Sequence, residues 1–403
     1  MKIGIIGNGF VGKATRLLAC GQIHIYAYDI VPELCDPLGI TMRDIQSCDL
    51  VFICVPTPLN HTGDCQTDII DSILKDLDHP FIIIRSTIPV GYSRKKNCFF
   101  MPEFLTELNW RQDFINNENW IVGLLDDGDI DREEKFIQSI YDLFSLAFTE
   151  DKIKHNKVIF CKNEEAEMAK LVKNSFLAAK VAFFNEIFDL ANALGVDYGH
   201  VIELVSLDKR IGSTHCMVPG PPDVRNVVKR GYGGTCLPKD TNSVYSLMNS
   251  SDLDSVIIQG TLYRNEYVDR RERDWLRDKG RAMSATDRRN IYLLCGDDSL
   301  EVCQSLLSDP NNFVISLYDH DIKEKNYRYK KTKRDQKLFF PFIDGIYFYA
   351  LDHDPRDFRD AKDQCTQLFH LIELSELHGC EIHYRGNKYI RRLYELYLSS
   401  KTV

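Results

Sequence analysis

The stretch KIGIIGNGFVGKATRLLACG, at residues 2–21, decides the fold of this chain. A short apolar run ends at Gly7, further glycines follow at positions 9 and 12, and a helix-compatible segment comes next. An apolar run, a G-x-G-x-x-G turn and a helix in this order are typical of the first unit of a dinucleotide-binding α/β domain. A second apolar run ends at Asp29, 22 residues after Gly7, where such domains carry an acidic residue.

Each residue of this motif has a predicted task in binding NAD. Gly7 permits a tight turn, Gly9 lets the backbone approach a pyrophosphate, and Gly12 lets the helix pack on the strand. The amides at the start of the helix would donate to the phosphates. Asp29 would accept hydrogen bonds from the adenosine ribose and repel a 2′-phosphate, so we expect NAD rather than NADP. The alternative is that Asp29 is a turn acid in a flavodoxin-like sheet.

The pattern that begins here continues to about residue 160. Short apolar runs alternate with helical stretches, and several runs are apolar on successive residues, as in strands buried on both faces of a parallel sheet. The alternation predicts an α/β fold, with a Rossmann-like doubly wound sheet in a first domain of residues 1–160. Strands are predicted at 2–6, 23–29, 50–55, 81–87, 98–104 and 120–125.

One long helix is predicted to dominate a central domain, residues 161–284. Asn163 can cap its start and Gly195 its end. At about 1.5 Å per residue this helix is roughly 45 Å long, which suits a domain spine or a subunit interface. More helix is predicted at 199–209 and 241–280. Apolar residues recur at helical spacing along the long helix, at Met168, Leu171, Val172, Phe176, Ala179, Phe183, Ile187, Leu190 and Leu194.

The last part, residues 285–403, is predicted to form a third domain with α/β structure. Strands are expected at 290–295, 313–318 and 339–350, and a helix at 299–308. The segment HGCEIH at 378–383 has the residue types of metal ligands but no further ligands nearby in sequence, so we predict a strand edge there. No metal site is predicted.

Composition limits the function classes. Fifty basic against fifty-nine acidic residues give a net charge of −9, which argues against nucleic acid as the main partner. The sequence has no apolar run of about 18 residues and no signal-type segment, so no membrane association is expected. The thirteen cysteines are an odd number without any C-x-x-C pair. Reduced thiols in a cytoplasmic protein are therefore predicted.

The segment GYGGTCLPKD, at residues 231–240, contains the most informative cysteine; we call it the cysteine loop. Clustered glycines let a ligand approach the backbone, and Cys236 in such a loop can be exposed. Neighbouring Lys239 would favour the thiolate, which is the nucleophilic form. From composition alone, a buried structural cysteine is the alternative.

This loop resembles the catalytic-cysteine motif of the UDP-glucose/GDP-mannose dehydrogenase family. The resemblance covers about residues 1–280 and continues in order along the chain, so the sequence is identified as a member of that family. Its further motifs are VPTP at 55–58, STIPVG at 86–91, PEFLTE at 102–107, KLVKN at 170–174, FNE at 184–186 and RIG at 210–212.

The resemblance implies oxidation of the primary alcohol of a nucleotide sugar to a carboxylate, with two NAD per turnover. Cys236 would hold the aldehyde as a thiohemiacetal and then as a thioester. Lys170 and Asn174 are four residues apart on one helix face and would stabilise the developing oxyanion. Asp240 and Thr87 would position or activate water.

Glu107 is the predicted base for hydrolysis of the thioester; a surface acid is the alternative. Lys170 and Asn174 could likewise form a solvated helix face. Arg210 would reach a nucleotide sugar bound by the partner subunit, which implies a homodimer around the long helix. Its alternative is an ion pair with Asp208.

The resemblance also assigns two sets of binding residues. Cofactor-binding residues would be Gly7, Gly9, Phe10, Val11, Gly12, Asp29, Val55, Pro56, Thr57, Thr87 and Lys239. Substrate-binding residues would be Glu103, Phe104, Leu105, Lys170, Asn174, Arg210, Tyr232 and Gly233.

The third domain departs from the family. A strand there is normally followed by a motif with a lysine and an arginine that hold the nucleotide sugar, whereas residues 294–299 read LCGDDS. Basic residues crowd positions 323–334, and they form either a solvated run or a replacement clamp for the diphosphate.

The sequence therefore predicts an NAD-dependent enzyme that converts UDP-glucose to UDP-glucuronate. The alternatives are another nucleotide sugar, such as a UDP-N-acetylhexosamine or GDP-mannose, and a non-catalytic nucleotide-sugar-binding relative.

Overall fold

The computed structural model describes residues 1–60, 63–221, 228–270, 275 and 281, and the backbone of 290–295, 312–316, 345–350 and 381–386. The chain forms two compact units. One comprises Met1–Arg271 and Asp278–Ser284, and the other Glu272–Arg277 and Ala285–Val403. The predicted helix at 299–308 and the basic residues at 323–334 lie outside the described residues.

The first unit contains a seven-stranded sheet in the order β2-β1-β3-β4-β5-β6-β7. All neighbouring pairs are parallel except β5 and β6, which are antiparallel. The α/β, doubly wound prediction is confirmed and the first strand has the predicted bounds, although the next five strands are shorter than predicted and β7 was not foreseen. The strands are β1 (Lys2–Ile6), β2 (His24–Tyr28), β3 (Leu50–Ile53), β4 (Ile82–Ile84), β5 (Phe99–Phe100), β6 (Trp120–Leu124) and β7 (Val158–Lys162).

Helices cover both faces of this sheet and continue into the long-helix region. The described helices are α1 (Phe10–Thr15), α2 (Met42–Gln46), α3 (Asp68–Asp76), α4 (Tyr92–Lys95), α5 (Trp110–Ile115), α6 (Ile130–Thr149), α7 (Asn163–Leu194), α8 (Tyr198–Ser206), α9 (Leu237–Ser250) and α10 (Val256–Tyr263). A π-helical turn, Arg264–Asp269, extends α10. Among the described helices, none is long and apolar enough to cross a bilayer.

Two apolar clusters hold the sheet, one on each face. The first includes Trp120, which stacks on Phe144 of α6 with ring centroids 4.4 Å apart. The second includes Ile53 and Ile84, which lie on neighbouring strands. Burial on both faces explains why these strands read as continuous apolar runs in the sequence.

Strand β1 lies between β2 and β3. The chain therefore passes from β1 to a neighbour on one side, β2, and then crosses to the neighbour on the other side, β3. A sheet of this kind has a crevice at the carboxyl ends of the strands where the order reverses, and ligands bind there. The turn after β1 and the loop after β3 meet at this point. A Cβ on Gly7 would lie 2.7 Å from the carbonyl oxygen of Cys54.

Helix α7 forms as predicted, with 32 residues ending at Gly195 in the left-handed conformation (φ +69°). Its cap differs from the prediction. Lys162 is the N-cap and its amide donates to Glu165 (2.9 Å), whereas Asn163 is the first helical residue. The Asn163 side chain donates to the carbonyl of Cys98 (2.9 Å), so it connects α7 to the sheet instead of capping the helix.

Among the described residues, one face of α7 packs within its own unit and another is exposed. Leu171, Ala178 and Phe184 are buried there. Six apolar side chains on the helix are at least 50% exposed: Met168, Val172, Phe176, Phe183, Leu190 and Leu194. We call these six residues the apolar stripe.

The predicted helical region 241–280 is interrupted. Helix α9 ends at Ser250, and Asp252 takes a left-handed conformation (φ +55°) before α10 begins. The turn places α10 against both α7 and α9. Helix α8, predicted at 199–209, is observed at Tyr198–Ser206.

The second unit contains a four-stranded parallel sheet in the order β11-β10-β8-β9. Residues 381–383, assigned from the sequence to a strand edge, lie in the edge strand β11. The strands are β8 (Asn290–Cys295), β9 (Asn312–Ser316), β10 (Gly345–Ala350) and β11 (Glu381–Gly386).

Candidate active site

The cysteine loop is held against the π-helical turn after α10. The Tyr232 amide donates to Asn265 Oδ1 (2.7 Å), and Asn265 Nδ2 donates to the Tyr232 carbonyl (3.0 Å). A Cβ on Gly231, which has φ +65°, would collide with the Asn265 side chain. A Cβ on Gly233 would collide with the Arg270 guanidinium. These glycines thus make room for the protein's own side chains, whereas the sequence suggested room for a ligand.

Four charged residues connect the start of this loop to α7. Arg230 contacts Asp189 (2.9 Å) and Asp269 (2.8 Å), and Arg264 contacts the same two carboxylates. The side chain of Asp269 is fully buried. The sequence reading did not identify this network because its members are up to 80 residues apart and belong to no motif. This network of ion pairs fixes the position of the cysteine loop relative to α7.

Cys236 caps the N-terminus of α9, and its carbonyl accepts a hydrogen bond from the Asp240 amide (2.8 Å). The side chain is half-buried, and Thr235 Oγ1 lies 3.8 Å from the sulfur. Burial raises the pKa of the thiol, and the strongest opposing influence is the charge of Lys170. Lys239, predicted to favour the thiolate, lowers the pKa of the thiol less than Lys170 does, and its ammonium donates to Asp240. The free thiol is therefore protonated at neutral pH.

Lys170 and Glu103 form a buried ion pair beside the cysteine. Lys170 Nζ lies 2.6 Å from Glu103 Oε1 and 2.8 Å from the Glu103 carbonyl oxygen. Burial lowers the pKa of Lys170, but the charges of Glu103, Asp240 and Cys236 together raise it above its ordinary value. Lys170 thus remains positively charged. Within the described residues, Glu103 Oε2 has no hydrogen-bond partner, so this oxygen can accept from a ligand.

Asn174 and Asp240 form a second buried pair, in which Asn174 Nδ2 donates to Asp240 Oδ2 (2.6 Å). Lys239 donates to the other oxygen, Oδ1 (2.6 Å). Both Asp240 and Lys239 are buried. Lys239 Nζ also lies 4.0 Å from the sulfur of Cys65, which donates to Ser243 Oγ (3.7 Å). The sequence reading missed Cys65, since only folding brings this residue against α9.

The segment that carries Thr87 is fixed from two sides. Ser86 Oγ donates to the Val55 carbonyl (2.6 Å), so this segment is attached to the loop after β3. Glu167 of α7 accepts from the Ser93 amide (2.9 Å) and hydroxyl (2.6 Å), and also from the Gly91 amide. Thr87 itself is buried. Glu167 is a further residue that the sequence reading missed, and it positions the Thr87 segment against the helix of Lys170.

The other predicted site residues lie at different depths. Thr57 and Tyr232 are buried, and Val55, Phe104 and Leu105 are half-buried. Pro56 is exposed.

Glu107 and Arg210 lie at the surface of the unit. Glu107 Oε1 accepts from Arg281 (2.9 Å), and Arg210 contacts Asp208 through three hydrogen bonds of 2.5–3.1 Å. These are the surface arrangements given above as alternatives. In the described structure neither side chain contacts Cys236 or Lys170.

The turn after β1 fits a dinucleotide. Gly7 has φ +92°, and a Cβ on Gly12 would collide with the Gly7 carbonyl, so both positions require glycine. A Cβ on Gly9 would meet no described atom within 4 Å, which leaves its backbone open to a ligand. Asp29 accepts from the amides of Asn8 (2.6 Å) and Val31 (3.0 Å) at the end of β2. Its carboxylate is thereby held at the crevice, where the ribose would lie.

The site thus combines four groups: a thiol, a permanent cation, a buried amide, and a carboxylate with one oxygen that has no described hydrogen-bond partner. They belong to Cys236, Lys170, Asn174 and Glu103. A thiol of this kind can add to a carbonyl, and Lys170 and Asn174 can stabilise the oxyanion that forms. The dinucleotide turn belongs to the same unit.

Two family models match the chain. Residues 34–145 match "UDP-glucose/GDP-mannose dehydrogenase family, NAD binding domain", and residues 164–267 match the central domain of the same family. Together the two matches cover more than half of the chain.

Three curated relatives with the name UDP-glucose 6-dehydrogenase are 26–28% identical to this chain. The Streptococcus pneumoniae protein aligns over 309 residues, 66% of this chain and 74% of the relative. The Campylobacter jejuni protein aligns over 408 residues, 89% of this chain and 97% of the relative, at 26% identity. The Rickettsia bellii protein aligns at 28% identity over 56% of this chain and 50% of the relative.

Two solved structures share the fold. One is a UDP-glucose dehydrogenase from Pyrobaculum islandicum, with a TM-score of 0.54, 21% identity, and coverage of 87% of this chain and 89% of that chain. The other is a UDP-D-ManNAc dehydrogenase from Pyrococcus horikoshii, with a TM-score of 0.52, 19% identity and the same coverage.

Proposed function

Because this chain belongs to the UDP-glucose/GDP-mannose dehydrogenase family, we propose that it oxidises the primary alcohol of a nucleotide sugar to a carboxylate. UDP-glucose is the proposed substrate and UDP-glucuronate the product. The observation that carries the proposal is the half-buried Cys236 at the start of α9, beside Lys170 and the Asn174–Asp240 pair. A protein that only bound nucleotide sugars would have no use for this arrangement.

The residues of the crevice suit NAD. The backbone of Gly9 can approach the pyrophosphate, and Asp29 accepts from the adenosine ribose. Val55, Pro56 and Thr57 lie in the loop beside this turn. When bound, NAD accepts a hydride from the carbinol carbon in each of two oxidation steps.

Cys236 holds the substrate between the two oxidations. After the first, its thiolate adds to the aldehyde carbon, a C–S bond forms, and the carbonyl oxygen gains an electron pair and then a proton. Loss of a second hydride from that carbon converts the thiohemiacetal to a thioester. Water then adds, the C–S bond breaks with its electron pair on sulfur, and the acid is released. Overall, one alcohol, one water and two NAD give one carboxylate, two NADH and three protons.

Lys170 and Asn174 stabilise the oxyanions of these steps. They lie one helical turn apart on α7, and both are buried, where charges interact more strongly than in water. Lys170 also favours the thiolate of Cys236 electrostatically. Asp240 and Thr87 are proposed to position the water, and Glu107 to act as base after a rearrangement that releases it from Arg281.

The experiment that tests this function is a panel of nucleotide sugars supplied with NAD. With UDP-glucose we expect two NADH and one uronate for each molecule consumed. A single NADH with a stable aldehyde or ketone would contradict the four-electron reaction. Turnover of GDP-mannose or a UDP-N-acetylhexosamine alone would assign another nucleotide sugar, and no NADH with any of them would favour the non-catalytic alternative.

The role of Asp29 gives a prediction on cofactor choice. In Asp29→Ala, the dissociation constant of NAD should rise about tenfold, because a charge-assisted hydrogen bond to the ribose is lost. That of NADP should rise less, because repulsion of the 2′-phosphate is lost as well. Glu33→Gln, at an exposed acid four residues after Asp29, is the control. An unchanged NADP/NAD ratio in Asp29→Ala would mean that Asp29 does not bind the ribose.

The apolar stripe on α7 supports a homodimer built around this helix. Phe176 is 66% exposed and Phe183 57%, and apolar side chains repeated along one helix face are typical of a subunit interface. In a two-fold dimer both subunits would contribute the same stripe residues to the interface, so each residue would be buried in both copies. A dimer would also allow Arg210 to reach the partner's substrate.

The dimer prediction is tested with Phe176→Glu. We expect the parent to sediment as a dimer at micromolar concentration and Phe176→Glu as a monomer, because burying two carboxylates in an apolar interface is costly. Phe148→Glu, at a 44% exposed position on α6, should leave the dimer intact. Sedimentation velocity measures all three, and a monomeric parent would contradict the proposal.

A further inference from the structure

Three basic side chains lie beyond the buried Lys170–Glu103 pair. Lys173 and Lys180 are seven residues apart on α7, so they lie on the same side of the helix. His215 belongs to the loop after α8. Its pKa is lowered by burial and also by the charges of Lys180 and Lys173, so it lies within electrostatic reach of both.

Lys173 contacts the segment that follows Glu103. Its Nζ lies 4.0 Å from the centroid of the Phe104 ring, and Lys170 lies one helical turn away. The ammonium of Lys173 is therefore adjacent to the group that would meet the reacting end of the sugar.

In the described residues, carboxylates balance this group of cations only in part. Lys180 donates to the carbonyl of Ile211 (2.8 Å). Lys173 has no carboxylate or carbonyl partner in the part of the chain that the structure describes. Partial burial of its ammonium and the charge of Lys170 lower the pKa of Lys173, and Glu103 and Asp113 offset this only in part. A bound anion would relieve this unfavourable balance.

We propose that Lys173 binds the diphosphate of the nucleotide-sugar substrate. This inference rests on the proposed function and names the charge contact of its substrate. A hexose ring separates the primary alcohol from the diphosphate, and one helical turn separates Lys170 from Lys173. With the alcohol at Cys236 and Lys170, the diphosphate lies beside Lys173, whereas the pyrophosphate of NAD lies at the turn after β1.

The test compares Lys173→Gln, Lys173→Glu and Lys173→Arg with Lys135→Gln, an exposed lysine on α6. Isothermal titration with UDP should show binding weakened about tenfold in Lys173→Gln and about a hundredfold in Lys173→Glu, as for loss and reversal of a charged hydrogen-bond donor. Lys173→Arg and Lys135→Gln should stay within about threefold of the parent. Residue 173 is exposed overall, and among the described residues its partly buried ammonium contacts an aromatic ring and no carboxylate, so all four variants should keep the parent's melting temperature.

Inorganic pyrophosphate provides the second arm. It should displace UDP from the parent and bind Lys173→Glu more weakly, since the diphosphate is the recognised group. NAD affinity should be equal in all variants. Equal UDP affinity in parent and Lys173→Glu, or no binding of UDP and pyrophosphate to the parent, would overturn the inference. Because UDP binding requires no turnover, a parent that binds UDP through Lys173 but produces no NADH would refute only the proposed function.

Discussion

In a Cys236→Ala variant we expect the formation of uronate to fall by at least about a thousandfold, because loss of a covalent nucleophile removes the route through the thioester. NAD binding should be unchanged, since the described hydrogen-bond contacts of Cys236 are with Thr235 and Asp240 and not with the turn after β1. The measurements are product analysis by mass spectrometry and NAD titration. Cys161→Ala, another half-buried thiol, is the control and should retain full activity.

A Cys236→Ser variant distinguishes a covalent role of residue 236 from a purely steric one. Serine can add to the aldehyde, but an alkoxide leaves less readily than a thiolate, so an ester should accumulate on residue 236. Intact-mass analysis after mixing with UDP-glucose and NAD would detect the added mass. If Cys236→Ala still formed uronate at the parent's rate, the thioester mechanism would be wrong.

The second large effect is expected for Lys170→Met. Removing the cation leaves the Glu103 carboxylate buried and unpaired, which should lower the free energy of unfolding by about 3–5 kcal/mol. Turnover should fall by roughly a hundredfold to a thousandfold, because an oxyanion-stabilising group is lost. Urea unfolding and NADH production measure the two effects independently.

The double variant Lys170→Met/Glu103→Gln distinguishes a structural from a catalytic role of Lys170. Replacing the ion pair by two neutral groups should restore most of the lost stability, whereas turnover should remain low. Recovery of turnover together with stability would make Lys170 only a structural partner of Glu103.

The thiol of Cys236 supplies a further readout for Lys170→Met. Only the thiolate reacts with iodoacetamide, and burial raises the pKa of this thiol in the free protein. Labelling of the parent should therefore accelerate only above the pH at which an ordinary thiol ionises. Because Lys170 favours the thiolate, Lys170→Met should move this acceleration to still higher pH. The labelled residue is identified by peptide mass spectrometry.

Local sequence was enough for most strands of the first sheet and for the long helix α7. The turn at Gly7 and the cap at Gly195 require backbone conformations that only glycine adopts easily, so their positions are visible in the sequence. Strands buried on both faces have continuous apolar runs, and α7 has an apolar pattern of helical period. The motif around Cys236 identified the family, which the two family models confirm.

Folding alone decided which side chains meet and how they ionise. Lys170 and Glu103 are 67 residues apart, and Asn174 and Asp240 are 66 apart, yet both pairs are in contact. No local pattern encodes such contacts, since they depend on how α7, α9 and the sheet pack.

The same holds for charge and exposure. From its neighbours in sequence Cys236 seemed close to a thiolate, but burial raises its pKa and Lys239 is engaged by Asp240. Glu107 looks like a base in its motif, yet it lies at the surface in contact with Arg281. Residue types and spacing determine which chemistry a chain can perform. The ionisation of each group depends on desolvation and on charges brought near by distant segments, and only the tertiary structure sets these.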